Sequence, residues 1–296
     1  MELDGARVLV FGTAGAQGSG LVPALTAAGG HDVRATRRPE RAREWVGGGA
    51  RAVVADLADP ASVRAAAEGV DAALLHFPLS LATPEGALAV VGSIRELRAA
   101  GLPVVANMGC PVPEEGATHL RGVRMVAEAV ADLGATVLAP TAYLDNHAEP
   151  WALRALAGGE LIYPRPADDV VAWVSAVDVG AAAVAALAAE LPGELLGLAG
   201  AAPLSFGELA AELGAGLGRR VGYRRVSPRE YGEPARPVLG SGFADWVIAE
   251  YEARSDAPSD FLAADTTDTW ARLGVAPMPA RRWAATVLAP ALAGAR

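Results

Sequence analysis

Three glycines spaced three residues apart, Gly12, Gly15 and Gly18, follow an apolar run of Val8, Leu9, Val10 and Phe11 and precede a segment with Leu21, Val22 and Leu25 on one face. Strand, glycine turn and helix in that order make a site for a dinucleotide pyrophosphate. Gly12 permits a tight turn, Gly15 lets bare backbone approach the phosphates, and Gly18 lets the helix pack close to the strand. The helix N-terminus offers free N–H groups to negative charge. The spacing is G-x-x-G-x-x-G rather than G-x-G-x-x-G, and a glycine-rich β–α turn that binds nothing is the alternative. After the second apolar run stand Arg37 and Arg38. An acidic residue there would take the ribose 2′-hydroxyl of NAD, whereas arginine accommodates the 2′-phosphate of NADP, so the pair favours NADP. The competing reading is a solvated basic start to the next helix, continued by Arg41 and Arg43. Asp56 follows the third run and could accept from the adenine amino group, while Asp59 reads as a helix cap.

Further candidates stand where later strands end. His76-Phe77-Pro78 closes the fourth strand and Asn107-Met108-Gly109-Cys110 the fifth. Ligands of open α/β sheets sit at this carboxyl edge. His76 reads either as a ligand contact or as a satisfied structural histidine. Cys110 reads as a small buried hydrophobe before it reads as a nucleophile, because no base or activating charge adjoins it.

The elements that must position these residues follow from periodicity. Predicted strands are Arg7–Phe11, Asp32–Thr36, Ala52–Ala55, Ala72–Phe77, Val104–Met108 and Thr136–Ala139, with helices Gln17–Ala28, Pro60–Glu68, Pro84–Ala100 and Gly116–Leu133 among the segments between them. Short apolar strands alternating with helices predict a doubly wound parallel sheet covered on both faces. Beyond Pro140 proline and glycine become denser and the alternation loosens. A strand at Val170–Val174, an alanine-rich helix from Asp178 to Glu190, and a late strand at Leu195–Ala199 are expected. A capping box at Ser205 should start a helix to Leu217. Then come a strand over Val221–Val226 and helices over Ala244–Arg254 and Ala280–Leu292. The expected division is a dinucleotide-binding domain over 1–140 and a smaller mixed α/β lobe over 141–296 that shares strands with the main sheet.

With 296 residues, 52% of them hydrophobic, the chain can bury one large core or one core plus a small lobe. The net charge is −9, and all 25 basic residues are arginine. This balance argues against a nucleic-acid partner and offers no basic stripe to a membrane surface. A single cysteine excludes an intrachain disulfide framework and suits a reducing cytoplasm. No secretory leader and no membrane span are read before or within the strands. Four scattered histidines and one cysteine suggest no metal set.

Several segments, in order and spacing, resemble the NmrA-like group of atypical short-chain dehydrogenases/reductases over nearly the whole chain. They are the GTAGAQG turn, Thr36-Arg37-Arg38-Pro39, Ala55-Asp56-Leu57 with Asp59-Pro60, the loop Leu138 to Asn146, Val177-Asp178-Val179-Gly180, and Gly218–Arg229. The resemblance implies a Rossmann-type domain that binds NADP, or less readily NAD, with a C-terminal lobe closing over the nicotinamide. By position, Gly12, Thr13, Ala14, Gly15, Gln17 and Gly18 would face the pyrophosphate, Arg37 and Arg38 the 2′-phosphate, and Asp56 with Leu57 the adenine. His76, Phe77, Pro78 and Asn107 would line the path to the nicotinamide, with Tyr143 near its ring.

The departure from the family is chemical. Short-chain dehydrogenases protonate an alkoxide with a tyrosine whose pKa a lysine lowers, and this chain has no lysine. Arginine is a planar, larger and differently directed cation. His119, Tyr143 and His147 are the candidate proton donors; Asp145 and Asn146 could orient one or simply cap a helix through Trp151. The expected function is reduction of a small conjugated acceptor, such as a quinone, enone or flavin, which spreads charge and needs no strong local acid. The alternatives are a non-catalytic redox sensor acting on a protein partner and a non-redox biosynthetic enzyme; homodimerisation is left open.

Overall fold

A computed structural model describes residues 1–81, 83–112, 121–253 and 265–294. The first apolar run forms β1 (Arg7–Phe11), and after a 3-10 turn at Ala16–Gly18 comes α1 (Leu21–Ala27). There follow β2 (His31–Thr36), α2 (Pro39–Gly47), β3 (Arg51–Val54), α3 (Pro60–Ala66), β4 (Ala72–His76) and α4 (Pro84–Ala99). The regular alternation ends with β5 (Val104–Asn107), α5 (Arg121–Asp132) and β6 (Thr136–Pro140). Next are α6 (Pro150–Ala157), β7 (Glu160–Tyr163), β8 (Val170–Val171), α7 (Ala176–Ala189), β9 (Leu195–Leu198), β10 (Leu204–Ser205), α8 (Phe206–Leu217) and β11 (Gly222–Arg225). Helices α9 (Pro228–Gly232), α10 (Arg236–Leu239), α11 (Ser241–Ala253) and α12 (Thr267–Leu273) lead to α13 (Ala280–Trp283) and α14 (Ala289–Gly294), joined by a π-helical turn at Ala284–Leu288.

Seven strands form one parallel sheet in the order β3-β2-β1-β4-β5-β6-β9. Val8 to Phe11 and Ala72 to Leu75 are buried along their lengths, so both faces of the sheet centre are covered, as the unbroken apolar runs require. The Rossmann-type α/β architecture expected from the sequence is the one observed. Side-chain caps fix where several helices begin. Asp59 accepts from the Ala61 N–H ahead of α3, Thr83 accepts from the Gly86 N–H ahead of α4, and Ser205 with Glu208 forms a reciprocal capping box on α8. Each such cap contributes roughly 1 kcal/mol.

The chain forms two compact units: residues 1–140, 176–198 and 266–276 in the first, and 141–175, 199–265 and 277–296 in the second. α7, β9 and α12 follow Pro140 in the chain and return to the first unit. Two contacts account for the return. β9 hydrogen-bonds to β6 in parallel, from Val137 opposite Leu195 to Pro140 opposite Leu198. The start of α1 meets α7 main chain to main chain: a Cβ on Gly20 would lie 1.9 Å from the Ala176 carbonyl oxygen, and one on Gly180 would lie 2.2 Å from that of Gly20.

Local differences have local causes. The helix predicted over Gln17–Ala28 starts only at Leu21, because the glycine turn continues into a 3-10 turn. The strand predicted over Val170–Val174 pairs as β8 for two residues, antiparallel to β10. Beyond it the Thr141 hydroxyl donates to the Ala172 carbonyl, and Val174 bridges Tyr143. The predicted Gly116–Leu133 helix is described from Arg121 on. The second unit is built on aromatic rings. Tyr163 packs against Tyr231 at 4.7 Å and Phe206 at 4.8 Å between ring centroids, and His147 lies 4.8 Å from Trp173. Asp145 is buried and accepts from the Trp283 indole N–H at 3.4 Å, which ties the loop after β6 to the C-terminal helices.

Gly20→Ala or Gly180→Ala should each cost about 1–3 kcal/mol of stability by forcing backbone from backbone, measured by urea unfolding. His147 is buried, and burial lowers its pKa from 6.5 to about 4. The unfolded chain takes up a proton in that window and the folded one does not. Its stabilising contribution is therefore complete above pH 6.5 and is lost as the pH falls toward 4. Melting temperatures between those limits should fall less steeply in His147→Asn.

Candidate dinucleotide site

β1 stops at Phe11 because Gly12 turns the chain with φ +84. The turn is closed by its own main chain: the Gly15 N–H donates to the Gly12 carbonyl at 3.4 Å and the Gly18 N–H to that of Gly15 at 3.2 Å. A Cβ on Gly12 would lie 2.8 Å from the His76 Cβ, and one on Gly18 would lie 2.2 Å from the Gly12 carbonyl oxygen. The fold itself requires both to be glycine. Gly15 differs. Its backbone is extended (φ −97, ψ 158), it is exposed, and a Cβ there would meet nothing nearer than the Gly12 oxygen at 4.0 Å. Beside it Ala14 is exposed, and the Thr13 hydroxyl is enclosed without a hydrogen-bond partner among the described residues. No acidic side chain stands in the first turn of α1. An exposed glycine that packing does not demand, next to an unsatisfied hydroxyl, is what a turn that cradles phosphate would present.

Register brings the other candidates to the same edge. Phe11 pairs with both Ala35 and Leu75, and His76 with Asn107. Thr36, Gly12, His76 and Asn107 therefore end four neighbouring strands in one row. The chain runs outward from β1 to β2 and β3 on one side and from β4 to β5 and β6 on the other, so the crevice between β1 and β4 is the topological switch point. At the end of β2, Arg37 and Arg38 are exposed and carry no ion pair among the described residues. Nearby Arg34 is paired with Asp32 at 2.5 Å.

Several predicted contacts are already engaged in the fold. The Asp56 carboxylate accepts from the Ala58 N–H at 2.9 Å, and its own N–H donates to the Ser62 hydroxyl. Asp59 is the cap it was read to be. Leu57 and Phe77 point into the core of the first unit, so these two positions offer main chain and not side chain to a ligand, a correction to the reading from position alone. The Asn107 carboxamide oxygen accepts from the Gly109 N–H at 3.0 Å and shapes the loop after β5. Pro78 is part-buried and its carbonyl accepts from the Leu81 N–H. Gln17 reaches Gly109, where a Cβ would lie 3.0 Å from its Oε1. His76 is part-exposed, its Nδ1 is enclosed and unpaired, and burial lowers its pKa to about 4. Tyr143 belongs to the second unit and is fully buried, and His119 lies outside the described residues. Among the described residues no group of three His, Cys, Asp or Glu side chains could hold a metal ion. Gly109, expected at this edge within Asn107–Cys110 but given no role of its own there, turns the chain with φ +72.

Residues 12–139 match the family model described as NAD(P)H-binding. The match spans the first unit from the glycine turn to β6. The fold is shared with Citrobacter sp. triphenylmethane reductase (21% identity, 94% of this chain and 99% of that one, TM-score 0.73). It is shared too with the NADPH-dependent quinone oxidoreductase of Escherichia coli bound to NADPH (21% identity, 95% and 99%, TM-score 0.72). The negative transcriptional regulator NmrA in complex with NAD is similar over 96% of this chain and 95% of its own (18% identity, TM-score 0.69). No curated protein matches the sequence. The NmrA-like resemblance read from the motifs agrees with these structural likenesses, which at such identities show the fold alone. No helix among the described residues is long and apolar enough to cross a membrane.

Within the turn, Gly18→Ala should lower stability by about 1–3 kcal/mol because its Cβ meets backbone, whereas Gly15→Ala should change it by less than about 1 kcal/mol. Thermal or urea unfolding of the two variants checks the contrast.

Proposed function

We propose that this chain is an NAD(P)H-dependent reductase, with NADP preferred, that delivers hydride to a small conjugated acceptor such as a quinone, enone or flavin. The observation that carries the cofactor half is Gly15, an exposed glycine with no packing reason to be one, at the switch point of a segment that matches the NAD(P)H-binding family model. Gly12, Thr13, Ala14, Gly15, Gln17 and Gly18 would hold the pyrophosphate. Arg37 and Arg38, unpaired at the end of β2, would hold the 2′-phosphate, with Asp56 on the adenine side and His76, Pro78 and the Asn107 loop toward the nicotinamide. When bound, the cofactor supplies the hydride. The residues around it supply orientation, which is where an enzyme acting on a conjugated acceptor gains most.

The absence of lysine supports an acceptor that needs no Tyr–Lys acid. The likeness in fold to a triphenylmethane reductase and a quinone oxidoreductase supports the same choice. Tyr143 and His119 are the residues we put forward as proton donors. The same missing lysine favours, as a second reading, a redox sensor that binds the cofactor without turning it over, as a fold shared with a transcriptional regulator allows.

NADPH fluorescence should rise on binding more than NADH fluorescence. Replacing Arg37 and Arg38 together by alanine should weaken NADPH by at least about tenfold while leaving NADH nearly unchanged. Gly15→Ala should weaken both cofactors at unaltered melting temperature. NADPH oxidation followed with a panel of quinones and flavins separates the two readings: tight binding without turnover replaces the reductase by the sensor. In that assay the proton donor is whichever of His119→Ala and Tyr143→Phe loses ~10²–10⁴ in turnover, and losses under about threefold in both remove the two residues from the mechanism.

A further inference from the structure

The carboxyl edge of the sheet is built around one imidazole. His76 ends β4 between two glycines of positive φ, Gly12 (+84) on β1's side and Gly109 (+72) on β5's side. A Cβ on Gly12 would lie 2.8 Å from the His76 Cβ, and a Cβ on Gly109 would lie 2.7 Å from its Cε1 and 3.5 Å from its Nε2. Asn107, directly opposite His76 in the register, holds Gly109 in place through the Gly109 N–H. Two strand ends thus give up their side chains to leave room for a ring whose nitrogens have no partner among the described residues. Nδ1 is enclosed, and an enclosed N–H without an acceptor is rarer and costlier than an enclosed lone pair.

We propose that His76 holds its proton on Nε2 and, as a neutral donor at the β1–β4 switch point, hydrogen-bonds a carbonyl oxygen of the bound ligand. The oxygen belongs to the nicotinamide carboxamide or to the conjugated acceptor; both present the same acceptor chemistry. Burial lowers the imidazole pKa to about 4, so at neutral pH the ring is a donor and not an acid. The inference rests on the dinucleotide reading above.

The test is nitrogen NMR of the histidine rings in the full chain, with His76 assigned by its loss in His76→Gln. The free protein should show the Nε2–H form, and NADP⁺ alone should shift the His76 resonances. A shift that comes only when a quinone is added to the cofactor complex assigns the same donor to the acceptor. A proton on Nδ1, or no shift with both ligands bound, overturns the proposal. Fluorescence titration runs in parallel: no NADPH binding by the native chain sinks the dinucleotide reading instead, whereas binding with an undisturbed ring sinks this inference alone. His76→Leu should weaken NADPH binding or lower kcat by about three- to tenfold, and His76→Gln, which keeps an N–H near the same place, should recover most of that loss. Gly109→Ala should mimic His76→Leu in binding, and the two changes combined should be no worse than either alone.

Discussion

At Gly12, Gly18, Gly20 and Gly180 the main chain comes so close to its neighbours that a single added carbon would displace a strand end or a helix. That close approach brings α7 back to α1 and lets the turn fold over the end of β1. It also gives the His76 ring its place beside Gly12. The packed sheet supplies the burial free energy. The glycines decide that its carboxyl edge is an open row of strand ends rather than a hedge of side chains.

Electrostatics at that edge follow from which groups are left without partners. Arg34 has a carboxylate at 2.5 Å, but Arg37 and Arg38, three and four residues on, have none among the described residues. In a chain of net charge −9, two successive cations without a carboxylate partner among the described residues thus stand at the end of β2. The second unit is organised by other means. Its core is a lattice of tyrosine, tryptophan and phenylalanine rings, with a neutral histidine among them and an Arg165–Asp169 ion pair at 2.7 Å that is itself buried. Removing either member would take one charged partner from the other inside the protein, and the pair ties together the loop between β7 and β8.

The strands of the first unit were legible because buried parallel strands read as short apolar runs, and all seven lie within a residue or two of where the sequence places them. Asp59 and Ser205 were legible as caps because capping is local chemistry. The second unit was harder to read. β8 is two residues long, and the rest of its apolar run is engaged by Thr141 and Tyr143 from a loop about thirty residues earlier. β7 and α12 are four and seven residues long, too short to show a period in the sequence.

The sequence by itself determined the doubly wound sheet, the glycine turn after the first strand, the arginine pair after the second, and the absence of any lysine-dependent acid. These depend on residue type and on spacing along the chain. Only the tertiary structure decided which of the three glycines the fold can explain, that Leu57 and Phe77 face the core, that Asn107 is engaged by its own loop, and that α7, β9 and α12 belong with the first unit. The reason is that each of these is settled by what lies opposite in space: Gly18 meets Gly12, Gly20 meets Gly180, and the imidazole of His76 lies between glycines that stand 97 residues apart in the chain (12 and 109).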